Sequence, residues 1–184
     1  ITYGMICGYF GGAVDMILQR VVEIINGIPQ LVVVTLLLVI LKPGLFTITL
    51  ALLITSWIGM SRVVRAQVLQ LKEQEYILAS RTLGTPTWVI LFKEILPNTM
   101  GQVIILAMMS VPSAIFTESF LSFVGLGIPA PLASLGSLIS TGFQNILTYP
   151  YQVAIPVVIF SALMISFNLT ADGLRDAIDP KMWQ

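Results

Sequence analysis

Residues 72–97 read KEQEYILASRTLGTPTWVILFKEILP, Lys72 to Pro97, and they form the one long charged interval of an otherwise apolar chain. On either side run uncharged stretches, Pro43–Ser61 and Ile95–Thr117, each close to the ~20 residues that carry a helix across a bilayer. The local pattern predicts a helix over Glu73–Leu83 that stops at Gly84, because glycine takes the left-handed conformation a helix C-terminus often needs. Thr85 is then the N-cap of a second helix, with Pro86 at its first position, where a missing N–H costs nothing. Trp88, Ile90, Leu91 and Phe92 line that second helix, and Pro97 marks the start of the next span and bends the chain into it. The expected unit is helix, glycine turn, helix, and return to the membrane.

Composition sets the frame around this interval. The 184 residues are 57% hydrophobic and 10% charged, against about 25% charged in soluble domains, so this is a membrane protein. A net charge of zero argues against nucleic acid as a partner. The single cysteine, Cys7, excludes a disulfide within the chain, and the lack of histidine removes His-based catalysis, His metal ligation and the commonest proton switch. The sequence holds no phosphate-binding Gly-x-x-x-x-Gly-Lys-Ser/Thr loop. The expectation is a chain that is no enzyme, with no catalytic residues, cofactor or metal; any ATP hydrolysis would belong to another chain.

Upstream, the sequence begins at Ile1 inside an apolar run, which predicts that the N-terminal part of the protein is missing. Ile1–Val14 reads as the tail of a truncated helix. Gly4, Gly8 and Gly12 recur every four residues, the spacing that lets membrane helices approach closely; the competing reading is a chain merely loosened near Gly11-Gly12. Asp15–Glu23 is a polar junction. Ile24–Leu41 is the first full span, interrupted early by Asn26, Gly27 and Pro29, either as a bend lining a pore or as an interfacial segment that enters the bilayer at Pro29. Lys42-Pro43-Gly44 then turns the chain into Pro43–Ser61, giving an antiparallel membrane hairpin.

Arg62, Arg65, Lys72, Arg81 and Lys93 fall in one loop, which the positive-inside rule places in the cytoplasm, with Lys42 outside. Ile95–Thr117 runs outward. Residues 119–171 carry no charge and are broken by Gly125, Gly127, Pro129, Pro131 and Gly136. This predicts an external segment over 118–150, made of short amphipathic or re-entrant pieces, then a last span Tyr151–Ala171 and a cytoplasmic tail over 172–184 with Arg175 and Lys181. Glu118 is an external-face candidate: either it touches a partner subunit or it is a solvated helix-end carboxylate. Asp172, Asp176 and Asp179 share a helix face, as a metal would want, but Arg175 is interleaved and Pro180 ends the element, so a solvated tail is expected.

The central interval resembles the EAA loop of ABC-importer permeases: Glu-Ala-Ala, three residues, Gly, nine residues, Ile-x-Leu-Pro. Leu78-Ala79-Ser80 stand at the first three places, Gly84 at the glycine, and Glu94-Ile95-Leu96-Pro97 close it. Leu78 replaces the Glu, Ser80 an Ala and Glu94 the Ile. Two further stretches, Glu118–Gly127 (ESFLSFVGLG) and Asn168–Pro180 (NLTADGLRDAIDP), with Tyr9-Phe10-Gly11-Gly12, are similar to the second permease of oligopeptide and dipeptide importers in the peptide/nickel branch. The spans read above amount to four complete ones and part of a fifth; the resemblance implies an all-α polytopic transmembrane helix bundle of the type I ABC importer kind, one permease domain over 1–184, with at least one more helix before Ile1. It implies a multi-pass location in the cell membrane of a prokaryote, in contact with membrane lipid. It also implies three kinds of partner: a second permease subunit, two cytoplasmic ATPase subunits and an extracytoplasmic substrate-binding protein. Leu78, Ala79, Ser80, Arg81, Gly84, Thr85, Pro86, Leu96 and Pro97 would then carry ATPase coupling, and the cargo would be peptides. A nickel importer of the same branch, and a channel or secondary transporter not driven by ATP, are the alternatives.

Overall fold

A computed structural model describes residues 1–178, and all its regular elements are helices; Asp179, Pro180 and Lys181 lie outside the described residues. In chain order they are α1 (Thr2–Phe10), α2 (Gly12–Asn26), α3 (Gln30–Leu41), α4 (Leu45–Leu71), α5 (Glu75–Thr82), α6 (Thr87–Val89), a π-helical segment (Ile90–Ile95), α7 (Leu96–Phe123), α8 (Leu135–Gln144) and α9 (Tyr151–Ile178). Among the described residues, three helical runs are long and apolar enough to cross a membrane: Leu45–Leu71, Thr87–Phe123 and Tyr151–Ala177. A fourth exists only if α2 and α3 are counted as one broken span. The chain is thus an all-α, multi-pass membrane protein.

The predicted span Ile24–Leu41 is not one helix. Gly27, Ile28 and Pro29 separate α2 from α3, with Pro29 extended at ψ 129°, and the twelve residues of α3 reach only about 18 Å. The polar stretch Asp15–Glu23 is not a junction but part of α2. Arg62 and Arg65 likewise belong to α4, which continues to Leu71. The helices form two compact units, described in turn.

The first unit comprises Ile1–Ile28 and Thr55–Leu106. Here α1 lies against α4 at backbone contact. A Cβ on Gly4 would stand 2.3 Å from the Ser61 carbonyl oxygen, and one on Gly8 2.7 Å from Val68 Cβ. This is the close approach that small residues allow. Gly12 does not share it. Nothing lies within 4 Å of a Cβ built there, and its φ of +51° follows +63° at Gly11. The pair breaks α1 from α2, so residues 1–14 are not one helix tail. Met5, Tyr9, Val64, Val68, Ile77, Ile90 and Ile95 form the unit's core.

The second unit comprises Pro29–Ile54 and the chain from Ala107 onward. Val34, Ile48, Ala51 and Leu121 are its core. Glu118 sits inside α7, which runs to Phe123, so the irregular segment predicted from 118 starts only after that helix. The stop is a Schellman corner. Gly125 takes φ +86°, its N–H donates to Ser122 O (3.1 Å), and Leu126 N–H donates to Leu121 O (2.8 Å). Leu126 packs on the cluster that holds Leu121.

Gly136 does not break anything: it is the second residue of α8. A Cβ there would lie 2.3 Å from Ser119 O, and one on Gly142 2.5 Å from Gln152 O, so α8 touches both the end of α7 and the start of α9 at backbone distance. Ser134 caps α8 in a reciprocal box with Ser137, satisfying N–H groups a helix start leaves open. The predicted tail from 172 is helical at first, because α9 reaches Ile178; Asp172 and Asp176 are exposed on it.

Candidate functional site

The charged interval folds into a handle built on the first unit. Helix α5 turns one side chain, Ile77, fully inward, and Ile90 and Ile95 follow it into the core beside Val64 and Val68. The outer surface carries large apolar side chains too, set among exposed Glu73, Glu75, Arg81 and Lys93. Leu78 and Phe92 are half exposed, Trp88 is 61% exposed and Leu83 86%. Burying large apolar side chains is worth about 1.5–3 kcal/mol each, so the inner row holds the handle on its unit while the outer row is left without cover from the described residues.

A second Schellman corner shapes the tip. Gly84 takes φ +77°, Gly84 N–H donates to Arg81 O (3.0 Å) and Thr85 N–H to Ser80 O (3.1 Å). Thr85 is therefore not the N-cap of the next helix; its amide closes the previous one. Pro86 is the N-cap rather than the first helical residue: it is extended, at ψ 140°, and its carbonyl accepts from Val89 and Ile90. Beyond it the chain does not stop and re-enter. Residues 87–123 are one helical run, and a register shift precedes Pro97. Proline lacks the N–H of the ladder and its ring crowds the carbonyl four residues back. The π-helical segment just before it widens the turn, with Leu96 N–H reaching Leu91 O five residues back. Asn98 Nδ2 then donates to Glu94 O at 2.6 Å.

Polar contacts tie the handle down. Lys72 Nζ donates to Gly8 O at 2.9 Å, and the Arg81 guanidinium lies 5.2 Å from the centre of the Tyr9 ring, within cation–π range. Arg81 and Thr85 line a cleft of about 300 Å³ with Tyr9, Phe10, Thr87 and Ile90. Of the residues predicted for coupling, the structure thus brings Arg81 and Thr85 to one cleft, exposes Leu78, Ala79, Gly84, Pro86 and Pro97, half-buries Ser80 and packs Leu96 on the core.

The whole chain, residues 1–184, matches the family described as the binding-protein-dependent transport system inner membrane component. The chain belongs to that family. Among its relatives, the Bacillus subtilis (strain 168) oligopeptide transport system permease protein OppC is 50% identical over 182 residues, covering 99% of this chain and 60% of OppC. The dipeptide transport system permease protein DppC of the same strain is 49% identical over 183 residues, 99% of this chain and 57% of the relative. DppC of Lactococcus lactis subsp. cremoris (strain MG1363) is 45% identical over 181 residues, 98% and 53%. The chain spans between half and three fifths of the length of these relatives.

In this member of the family two further polar arrangements went unread in the sequence. One is an ion pair: Arg65 on α4 holds Asp15 on α2 by two hydrogen bonds, Nε to Oδ1 at 2.6 Å and Nη2 to Oδ2. The other is a relay in the second unit. Ser137 N–H donates to Ser134 Oγ (3.2 Å), Ser134 Oγ to Ser122 Oγ (3.1 Å), and Ser122 Oγ to Glu118 Oε1 (2.7 Å). Glu118 is half-buried and its carboxylate ends this chain, a role neither expected reading gave it. Partners 50 residues apart, like Asp15 and Arg65, leave no local signal; the spacing Glu118-x-x-x-Ser122 on one helix face was the available clue.

Proposed function

We propose that the protein is a permease subunit of an ATP-driven importer, forms half of a translocation path for peptides with a second permease, and carries no ATPase of its own. Hydrolysis would belong to two cytoplasmic ATPase subunits, and peptide would arrive from an external binding protein. The names of the relatives and the family support this reading. The observation that carries it is the handle: a short two-helix element, rigidly seated by Ile77, Ile90 and Ile95, that presents Leu78, Leu83, Trp88 and Phe92 outward. Such an element transmits force, because its inner face cannot slide without opening the core, while its outer face offers an apolar grip.

In this role the seated residues lie on the cytoplasmic side, and the exposed row enters a cleft on the ATPase. The test is purification of the full-length permease from membranes together with its ATPase subunits. Leu83→Glu with Trp88→Glu is expected to strip the ATPase from the complex and abolish peptide uptake, with the permease still inserted. ATPase retained at the unsubstituted level would refute the docking role.

A further inference from the structure

Resting on the importer reading, we propose that Asp15 and Arg65 form a latch that makes α2 move with the handle, so that the pair sets how much transport each hydrolysed ATP drives. Two differently held helices meet at Gly11. On one side, α1 is fixed to α4 through the glycine contacts of Gly4 and Gly8, which admit no sliding without backbone collision. On the other, α2 buries only Val22 of its fifteen residues. Packing alone therefore does not orient α2.

Between them stand two consecutive left-handed residues, Gly11 at φ +63° and Gly12 at φ +51°, with open space around Gly12. That is a swivel with room to turn. What fixes α2 across the swivel is polar. Tyr3 Oη donates to Leu18 O at 2.6 Å, and the guanidinium of Arg65 grips the Asp15 carboxylate through two parallel bonds. Among the described residues this is the one ion pair that joins two helices; the other, Arg20 to Glu23, lies within α2 and is exposed.

The position of Arg65 gives the latch its direction. It lies between Val64 and Val68 in sequence, and both share a core with Ile77 and Ile90 of the handle. Seven residues on, Lys72 anchors the end of the same helix region to Gly8 O. A displacement of the handle thus shifts the guanidinium, and the fork geometry passes both position and angle to Asp15. A half-buried pair of this kind adds little net stability, since desolvation offsets the attraction; its value is in specifying one arrangement of α2. Asp15 and Arg65 are positioning residues in this scheme and touch no substrate.

The test uses the full-length permease assembled with its partner permease, ATPases and binding protein in liposomes, with peptide uptake and ATP hydrolysis measured on one sample and normalised to assembled complex. Asp15→Asn is expected to leave hydrolysis in place while uptake per ATP falls about tenfold, the scale of typical coupling between sites. Arg65→Lys, which keeps the charge and loses the fork, is expected to show the same loss, and exchanging the two residues (D15R with R65D) to restore part of it. Uptake per ATP unchanged in both single variants would overturn the latch. So would uptake and hydrolysis falling in strict proportion, which is what a merely structural role gives. If the unsubstituted chain failed to associate with an ATPase at all, the importer reading itself would fall, and the latch with it.

Discussion

After α5, Gly84 turns left-handed and Thr85 reaches back to Ser80; after α7, Gly125 turns left-handed and Leu126 reaches back to Leu121. The hydrogen-bond chemistry of the two corners is the same, and nothing lies within 4 Å of a Cβ on either glycine; what differs is the chain beside them. Next to Gly84, Leu83 is 86% exposed. Past Gly125, by contrast, the chain folds tightly back. A Cβ on Gly127 would meet Ser122 Oγ at 2.0 Å, and one on Gly136 would meet the Ser119 carbonyl at 2.3 Å. One corner presents a tip; the other begins a tightly packed return. At both corners the turning glycine serves conformation, whereas Gly127 and Gly136 in the return that follows the second serve proximity, and substitutions separate the two uses.

The largest effect is expected at Gly136. Its obstacle is backbone, which cannot rotate away, so Gly136→Ala must push α8 off α7. Overpacking of this kind costs about 1–3 kcal/mol, and an immovable neighbour puts the cost at the upper end. The thermal midpoint of the purified protein in detergent should fall clearly. Gly59→Ala is the control. It too is a helical glycine, but with nothing within 4 Å, and the midpoint should hold or rise, since alanine is the better helix former by about 1 kcal/mol. Equal behaviour of the two variants would show that proximity is not what Gly136 provides.

Gly84→Ala comes next. Space is available, so the whole cost is conformational, about 1–2 kcal/mol for an alanine in the left-handed region, and it should be confined to the handle. Limited proteolysis within residues 72–97 should accelerate while the global midpoint barely moves. Gly84→Asn should recover much of the loss, because asparagine visits that region more readily. A global drop equal to that of Gly136→Ala would erase the distinction between the corners.

These expectations also mark where the sequence was readable. The glycine stop at Gly84 was legible because a left-handed residue is a local requirement, and the long apolar runs were legible because span length is a property of composition. The packing of Gly4 and Gly8 on α4 has a four-residue spacing behind it, but the same spacing pointed to Gly12, which the backbone uses as a swivel instead. Gly127 and Gly136 read as punctuation because loop breakers and contact glycines look identical in one dimension; only the chain segment packed against them distinguishes them. The π-helical segment before Pro97 was hidden for a related reason. Proline announces a disturbed ladder, and whether the helix answers by bending or by shifting register depends on what packs around Ile90, Leu91 and Ile95.

A smaller effect is expected within the packed return. Ser122→Ala removes the middle of the relay, leaving the Ser134 hydroxyl without its acceptor and Glu118 without its donor. Net loss of such bonds is about 1 kcal/mol. Glu118→Gln made on its own should cost less, and the double variant should cost less than the sum of the two, since both act on one chain of hydrogen bonds. Strict additivity in thermal midpoints would mean that the relay does not act as a unit.

The smallest effect tests which helix owns Thr85. An N-cap threonine contributes through its hydroxyl, and its replacement by alanine costs about 1 kcal/mol. Here the hydroxyl caps nothing, the N-cap is Pro86 without a side-chain bond, and the useful group of Thr85 is its amide, bonded to Ser80 O at 3.1 Å. Alanine keeps that amide, so Thr85→Ala should change the stability of the handle by less than about 0.5 kcal/mol. Thr85→Pro, which deletes the donor of the corner, should accelerate proteolysis at 72–97 far more than the alanine variant. The reverse order, with alanine the more damaging, would return Thr85 to the helix that follows it and make the Gly84 tip a connection between two capped helices rather than the closed end of α5.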